Sequence, residues 1–145
     1  MAVEHETGST QHTKMILAVD PGQVKCGLAV LTRDGEIIAR RIAAAAEVEG
    51  EVRGLAEQHH VTQILLGNST ASGRWQKQLV AWLPDVPIKV VDEAGSTLEA
   101  RALYWQVKPP RGWRRLVPLS LQAPPEPLDD FAAVVLARRY LKGLP

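Results

Sequence analysis

The chain has 145 residues, 46% of them hydrophobic and 23% charged, with a net charge of +1 and a single cysteine. Length and composition are those of one globular domain that buries its core without metals or disulfides. A charge near zero excludes a general pull on polyanions, so a nucleic-acid partner must be served by local charge. The lone Cys26 excludes an internal disulfide and a Cys/His zinc cluster and points to a reducing, cytoplasmic compartment. No apolar run approaches the ~20 residues that cross a bilayer, so no membrane partner is expected.

In chain order, residues 1–13 (MAVEHETGSTQHT) are polar and lack the apolar stretch of a secretory signal. They read as a disordered tail ahead of a folded domain spanning 14–145. MILAVD (Met15–Asp20) is almost wholly apolar and bounded by Pro-Gly, as in a fully buried central strand. CGLAVLT (Cys26–Thr32) is a second strand. Asp34-Gly35 signals a hairpin turn into a third, EIIARRI (Glu36–Ile42). Val48, Val52, Leu55 and His59 then fall at helical spacing, Ile64–Leu66 is a buried strand, and Trp75, Leu79, Trp82 and Leu83 mark a helix that must stop before Pro84. Ile88–Val91 is a fifth strand. Ser96 or Thr97 is placed to cap a third helix running to about Trp105, with Glu99 in its first turn. Gln106–Pro127 holds six prolines and reads as a long loop, before a last helix over Leu128–Leu141. An antiparallel meander followed by alternating helices and strands predicts an α/β fold with a five-stranded mixed sheet and helices on both faces.

Acids stand where the apolar runs stop. Asp20 ends the most buried strand, where α/β sheets place their ligands and a carboxylate is costly unless paired or metal-bound; D-P-G is equally a good turn sequence. Asp92-Glu93 end the fifth strand. Asp129-Asp130 open the last helix, where acids also complement the helix dipole. The small Ala132 and Ala133, on the side of Asp129, would let that helix approach the sheet closely. From Arg101 to Pro125 there is no acid, while Lys108, Arg111, Arg114 and Arg115 surround Trp113. This mixture suits phosphate contact and base stacking, or a solvated loop whose Trp folds back on the domain. Were the acids at 20, 93 and 129 to converge, their hard oxygens would suit Mg²⁺ or Mn²⁺ and phosphodiester chemistry.

ILAVDPGQVKCGLAV (Ile16–Val30), VDEAGSTLEA (Val91–Ala100) and LDDFAAVVLARRYL (Leu128–Leu141) together resemble, in order and spacing, three motifs of the YqgF/RuvX family and its RuvC relatives. The resemblance implies a ribonuclease H-like fold and a metal-dependent nuclease site. By position it implies Asp20, Glu93 and Asp129 as catalytic and metal-binding acids, Lys25 as a phosphate contact, and Ser96 and Thr97 as the family's S/T-T pair. Asp130 and Glu126 stand as auxiliary acids. Three departures are plain. Ala94 replaces the Arg that follows D-E in the family, Gly67–Gly73 lacks the usual Pro, and the acid that RuvC carries near the end of the fourth strand is missing.

The expected function is therefore a nuclease of structured nucleic acid, RNA favoured and linked to ribosomal RNA precursors. A Holliday junction resolvase, usually dimeric, is the alternative within the same chemistry. A nucleic-acid-binding module that has lost cleavage is the alternative outside it, favoured by Ala94. An ATP-binding fold of the actin/sugar-kinase type shares the early topology, but the chain is too short for its two domains.

Overall fold

The computed structural model describes residues 14–69 and 71–143; the expected tail at 1–13 lies outside them. Five strands form one sheet: β1 (Met15–Pro21), β2 (Lys25–Thr32), β3 (Ile37–Ala44), β4 (Val61–Gly67) and β5 (Ile88–Val91). Four helices join them: α1 (Val48–His59), α2 (Ser72–Trp82), α3 (Ser96–Val107) and α4 (Asp129–Lys142). The strand order is β3-β2-β1-β4-β5, with β1 antiparallel to β2, β2 antiparallel to β3, and parallel pairings of β1 with β4 and β4 with β5. This is the mixed sheet expected from the sequence.

Strand alternation sorts the core into two layers. Ile16 and Ala18 of β1, Ala29 and Leu31 of β2 and Leu65 of β4 face α3 and α4. Leu17, Val19, Leu28, Val30, Ile64 and Leu66 face α1 and α2. β1, covered on both faces, is therefore apolar throughout its middle, as its unbroken run implied. In α4 every residue from Asp130 to Ala137 is buried, because the helix is enclosed by the sheet on one side and α3 on the other.

The turns follow their chemistry. Gly35, at a φ of 88°, lets the β2–β3 hairpin close with Gly35 N–H donating to the Thr32 carbonyl at 3.0 Å. After Asp20-Pro21, Gly22 N–H donates to the Lys25 carbonyl at 2.9 Å, so the D-P-G turn returns the chain directly into β2.

The structure corrects three local expectations. β3 begins at Ile37 and runs on to Ala44, because Ala43 and Ala44 continue the ladder opposite Cys26 and Lys25. Neither Ser96 nor Thr97 caps α3: the cap position is Gly95, left-handed at a φ of 74° and bearing no side chain, and Ser96 is the first helical residue. The loop starts later and is more ordered than its prolines suggested, since α3 continues to Val107 and short 3-10 turns form at Gly112–Leu116 and Leu119–Leu121.

Candidate active site

The backbone places Asp20 on the α4 face of the sheet, two residues beyond Ala18, opposite Gly27 of β2. Gly27 is a strand glycine with a specific use. A Cβ there would overlap the carbonyl oxygen of Asp129, so the first turn of α4 rests directly on the β2 backbone. The Asp129 carboxylate is turned toward the D-P-G turn, with Oδ2 3.9 Å from where a Cβ on Gly22 would lie. From the other side, the Glu93 side chain lies over Gly67 at the end of β4, and its Oε2 would be 2.5 Å from a Cβ at that position. Two glycines thus hollow out the space into which acids from β1, the β5–α3 turn and α4 project.

Asp20 shows how close these acids are. Its carboxyl is raised from 3.8 to about 7, first by burial, then by a side-chain hydrogen bond with Glu93 and by the negative charges of Glu93 and Asp129. Two adjoining carboxylates cannot both ionise cheaply, and on Asp20 that repulsion adds to the cost of burial. The thiol of Cys26, beneath the same acids, is pushed up to about 12 by burial and by Asp20 and Asp129. Among the described residues, no three Asp, Glu, His or Cys side chains are arranged as a ready-made metal cage. The three acids are nonetheless close enough that Glu93 and Asp129 both raise the Asp20 carboxyl.

The auxiliary acids lie elsewhere. Asp130, next to Asp129 but buried, accepts a hydrogen bond from Arg40 Nη1 at 3.0 Å, and that guanidinium stacks 4.2 Å over the Phe131 ring. Glu126 accepts from the Tyr104 hydroxyl at 2.9 Å and from Lys108 Nζ at 3.0 Å. Neither points into the acid cluster, because each is satisfied by a cation on a neighbouring element. Ser96 is buried and donates its N–H to the Glu93 carbonyl at 3.0 Å, while Thr97 is exposed.

In the basic segment, the Lys108 ammonium is engaged by Glu126, and Arg115 Nε donates to the Gly112 carbonyl at 3.3 Å. Arg101 donates to the Gln122 carbonyl. Arg111 and Arg114 are exposed, and Trp113, 71% exposed with the Arg114 guanidinium 5.7 Å from its ring, does not fold back on the domain. Lys25 is exposed at the mouth of the D-P-G turn.

The residues that shape the site but were not singled out from the sequence are Gly27, Gly67 and Asn68. A glycine inside a buried strand signals close backbone approach, so Gly27 was findable. Asn68, whose Oδ1 accepts the Glu93 N–H at 3.1 Å, carries no motif of its own.

No family model matches the chain. Among curated proteins, the uncharacterized protein YdcI of Bacillus subtilis (strain 168) is 30% identical over 97 residues, which is 59% of this chain. The chain spans only 14% of that relative's length. Among solved structures, T. thermophilus RuvC in complex with a Holliday junction substrate superposes with a TM-score of 0.52 at 10% identity, covering 89% of this chain and 95% of that one. Thermus thermophilus RuvC superposes with a TM-score of 0.51 at 13% identity, covering 89% and 96%. At such identities the likeness is one of fold, and the fold is ribonuclease H-like.

Proposed function

We propose that this protein is a divalent-cation-dependent nuclease of structured nucleic acid, with Asp20, Glu93 and Asp129 as its catalytic and metal-binding residues. The carrying observation is their convergence: three acids from distant segments project over Gly27 and Gly67 onto one end of the sheet, where burial first, and then the neighbouring Glu93 and Asp129, raise the Asp20 carboxyl to about 7. Nothing in the core needs this arrangement, and mutual repulsion makes it costly without a positive partner.

The donor set fits Mg²⁺ or Mn²⁺. It offers only hard carboxylate oxygens, half-buried, with burial and the neighbouring acids raising Asp20 to about 7. Asp20, Glu93 and Asp129 would hold the ion, which supplies activation of water and neutralisation of charge on the departing oxygen when bound. Asp20, whose carboxyl is raised to about 7, would have to give up its proton for a cation to be held there. Lys25, exposed at the mouth of the turn, and Arg111, Arg114 and Arg115 with Trp113 and Lys108 on the basic segment, offer contacts to phosphates and an exposed ring for an unpaired base. Membership of the YqgF/RuvX family, and an RNA substrate such as a ribosomal precursor, are what the three sequence motifs support. A four-way DNA junction is what the junction-bound structural neighbour supports.

The test is cleavage of end-labelled precursor ribosomal RNA, single-stranded RNA and a four-way DNA junction in Mg²⁺ or Mn²⁺, by wild type and Asp20→Asn. Metal-dependent cutting of a structured substrate, lost in Asp20→Asn, supports the reading. Binding of these substrates with no cutting by wild type defeats it and favours a binding module, the reading that Ala94 favours.

A further inference from the structure

Glu93 is the one acid of the three that stands on an exposed turn. Its neighbours Asp92, Ala94 and Gly95 are all exposed, and Gly95 adopts a left-handed φ of 74°. Asp129 is fixed by a buried helix and Asp20 by a central strand. The Glu93 main chain is held by the Asn68 side chain at the end of β4, which accepts its N–H, and within its own turn by the Ser96 N–H on its carbonyl. These bonds fix the main chain of Glu93 itself, and the residues flanking it on the exposed side of the turn call for a restraint of their own if its carboxylate is to stay over Gly67.

The structure supplies one. Arg139, on α4, donates from Nη1 to the Asp92 carbonyl at 3.2 Å, and from Nε and Nη2 to Glu99 Oε1 at 3.2 and 2.6 Å. Its Nη2 also lies 3.5 Å from where a Cβ on Gly95 would stand. One guanidinium therefore grips the chain on both sides of Glu93, where Ala94 itself brings no cation. A planar fork presents its donors from separate nitrogens, so it reaches a carbonyl on one side and a carboxylate on the other; an ammonium's donors all leave one atom and span a shorter gap. The Arg139 side chain is 24% exposed and its partner Glu99 54%, so the clamp stands at the surface and owes its hold to its three-bond geometry rather than to exclusion of water. The same helix presents Asp129 at its first turn, so α4 both carries one acid and fastens the segment carrying another.

We propose that Arg139 is a positioning residue for Glu93, setting the separation of the Glu93 and Asp129 carboxylates through α4. The inference rests on the reading of Glu93 as a site acid. Arg138 gives an internal control. It is the adjacent residue on α4, and it donates from Nε and Nη2 to the Gly35 carbonyl at 3.1 and 3.0 Å, fastening the helix to the β2–β3 hairpin instead.

The experiment compares Arg139→Ala, Arg139→Lys and Arg138→Ala in the full chain. Amide hydrogen exchange is read at Glu93 and Ser96, and Mn²⁺ affinity by electron paramagnetic resonance. Arg139→Ala is expected to speed exchange at Glu93 and Ser96 by tenfold or more relative to Arg138→Ala, with Arg139→Lys nearer to Ala than to wild type. Mn²⁺ affinity is expected to fall about tenfold or more in Arg139→Ala and to hold in Arg138→Ala. Equal exchange at Glu93 and Ser96 in the Arg139 and Arg138 variants overturns the proposal; should Arg139→Ala not fold, Arg139→Lys against Arg138→Ala decides it. If wild type takes up no Mn²⁺, the metal-site reading falls, and the exchange comparison still judges the clamp.

Discussion

The main chain of Asp129 sits so close to Gly27 that a methyl group on that glycine would overlap the Asp129 carbonyl oxygen. The contact is backbone against backbone, so neither side can yield by turning a rotamer. It fixes how near the first turn of α4 comes to β2, and with it how near Asp129 comes to Asp20, the residue paired opposite Gly27.

Gly27→Ala is therefore expected to push α4 off the sheet, at a cost of at least about 2–3 kcal/mol. Gly54→Ala, on α1 with nothing within 4 Å of the new methyl, is expected to gain about 0.5–1 kcal/mol from helix propensity. Urea denaturation of both variants checks the pair; equal stability would refute the close-contact account.

Gly67→Ala behaves differently. The new Cβ would meet the tip of Glu93, Oε2 at 2.5 Å, and Leu136 Cδ1 at 3.1 Å. A flexible carboxylate can swing aside, so the stability change should stay within about 1 kcal/mol. Mn²⁺ affinity and nuclease activity should drop by about tenfold or more, because the displaced group belongs to the acid cluster. A calorimetric titration beside a thermal melt separates the two effects.

Asp20 titrates near 3.8 in an unfolded chain and near 7 in the folded one. The native state holds that proton more tightly, so the stability it contributes is complete below about pH 4 and is lost as pH rises through 7. Asp20→Asn should flatten this slope and, without divalent ions, be more stable than wild type above pH 7, by on the order of 1 kcal/mol or more. Urea midpoints at pH 5 and pH 8 test it, and an unchanged slope in Asp20→Asn would show that the burden lies on another group.

Asp130→Asn probes a buried pair rather than the acid cluster. Removing the charge facing Arg40 should cost about 1–3 kcal/mol. Mn²⁺ uptake should be untouched. Loss of cation binding in this variant would place Asp130 among the ligands after all.

Much of this architecture was legible from periodicity. The meander, the switch to alternating helices and strands, and the termination of α2 before Pro84 follow from local rules that tertiary packing did not override. The α3 cap did not, because Gly95 relieves the turn by backbone conformation, which a search for hydroxyl caps overlooks. At the site, Asp20, Glu93 and Asp129 were nominated by their positions at element ends and are brought together. Asp130 and Glu126 were nominated by adjacency, and their partners Arg40 and Lys108 turn them away. Arg139 was invisible, since its partners Asp92 and Glu99 lie in a segment far from it in sequence and no local pattern joins them.

The long burial of α4 bears on when the site comes into being. Until this helix docks, the sheet face formed by Ile16, Ala18, Ala29, Leu31 and Leu65 lacks its main cover, and Asp20 has no Asp129 across from it. The pairing joins remote stretches of chain, the slow kind of contact in folding. An incompletely folded copy therefore lacks the gathered acids altogether, and the proposed hydrolytic competence would arrive together with closure of the core.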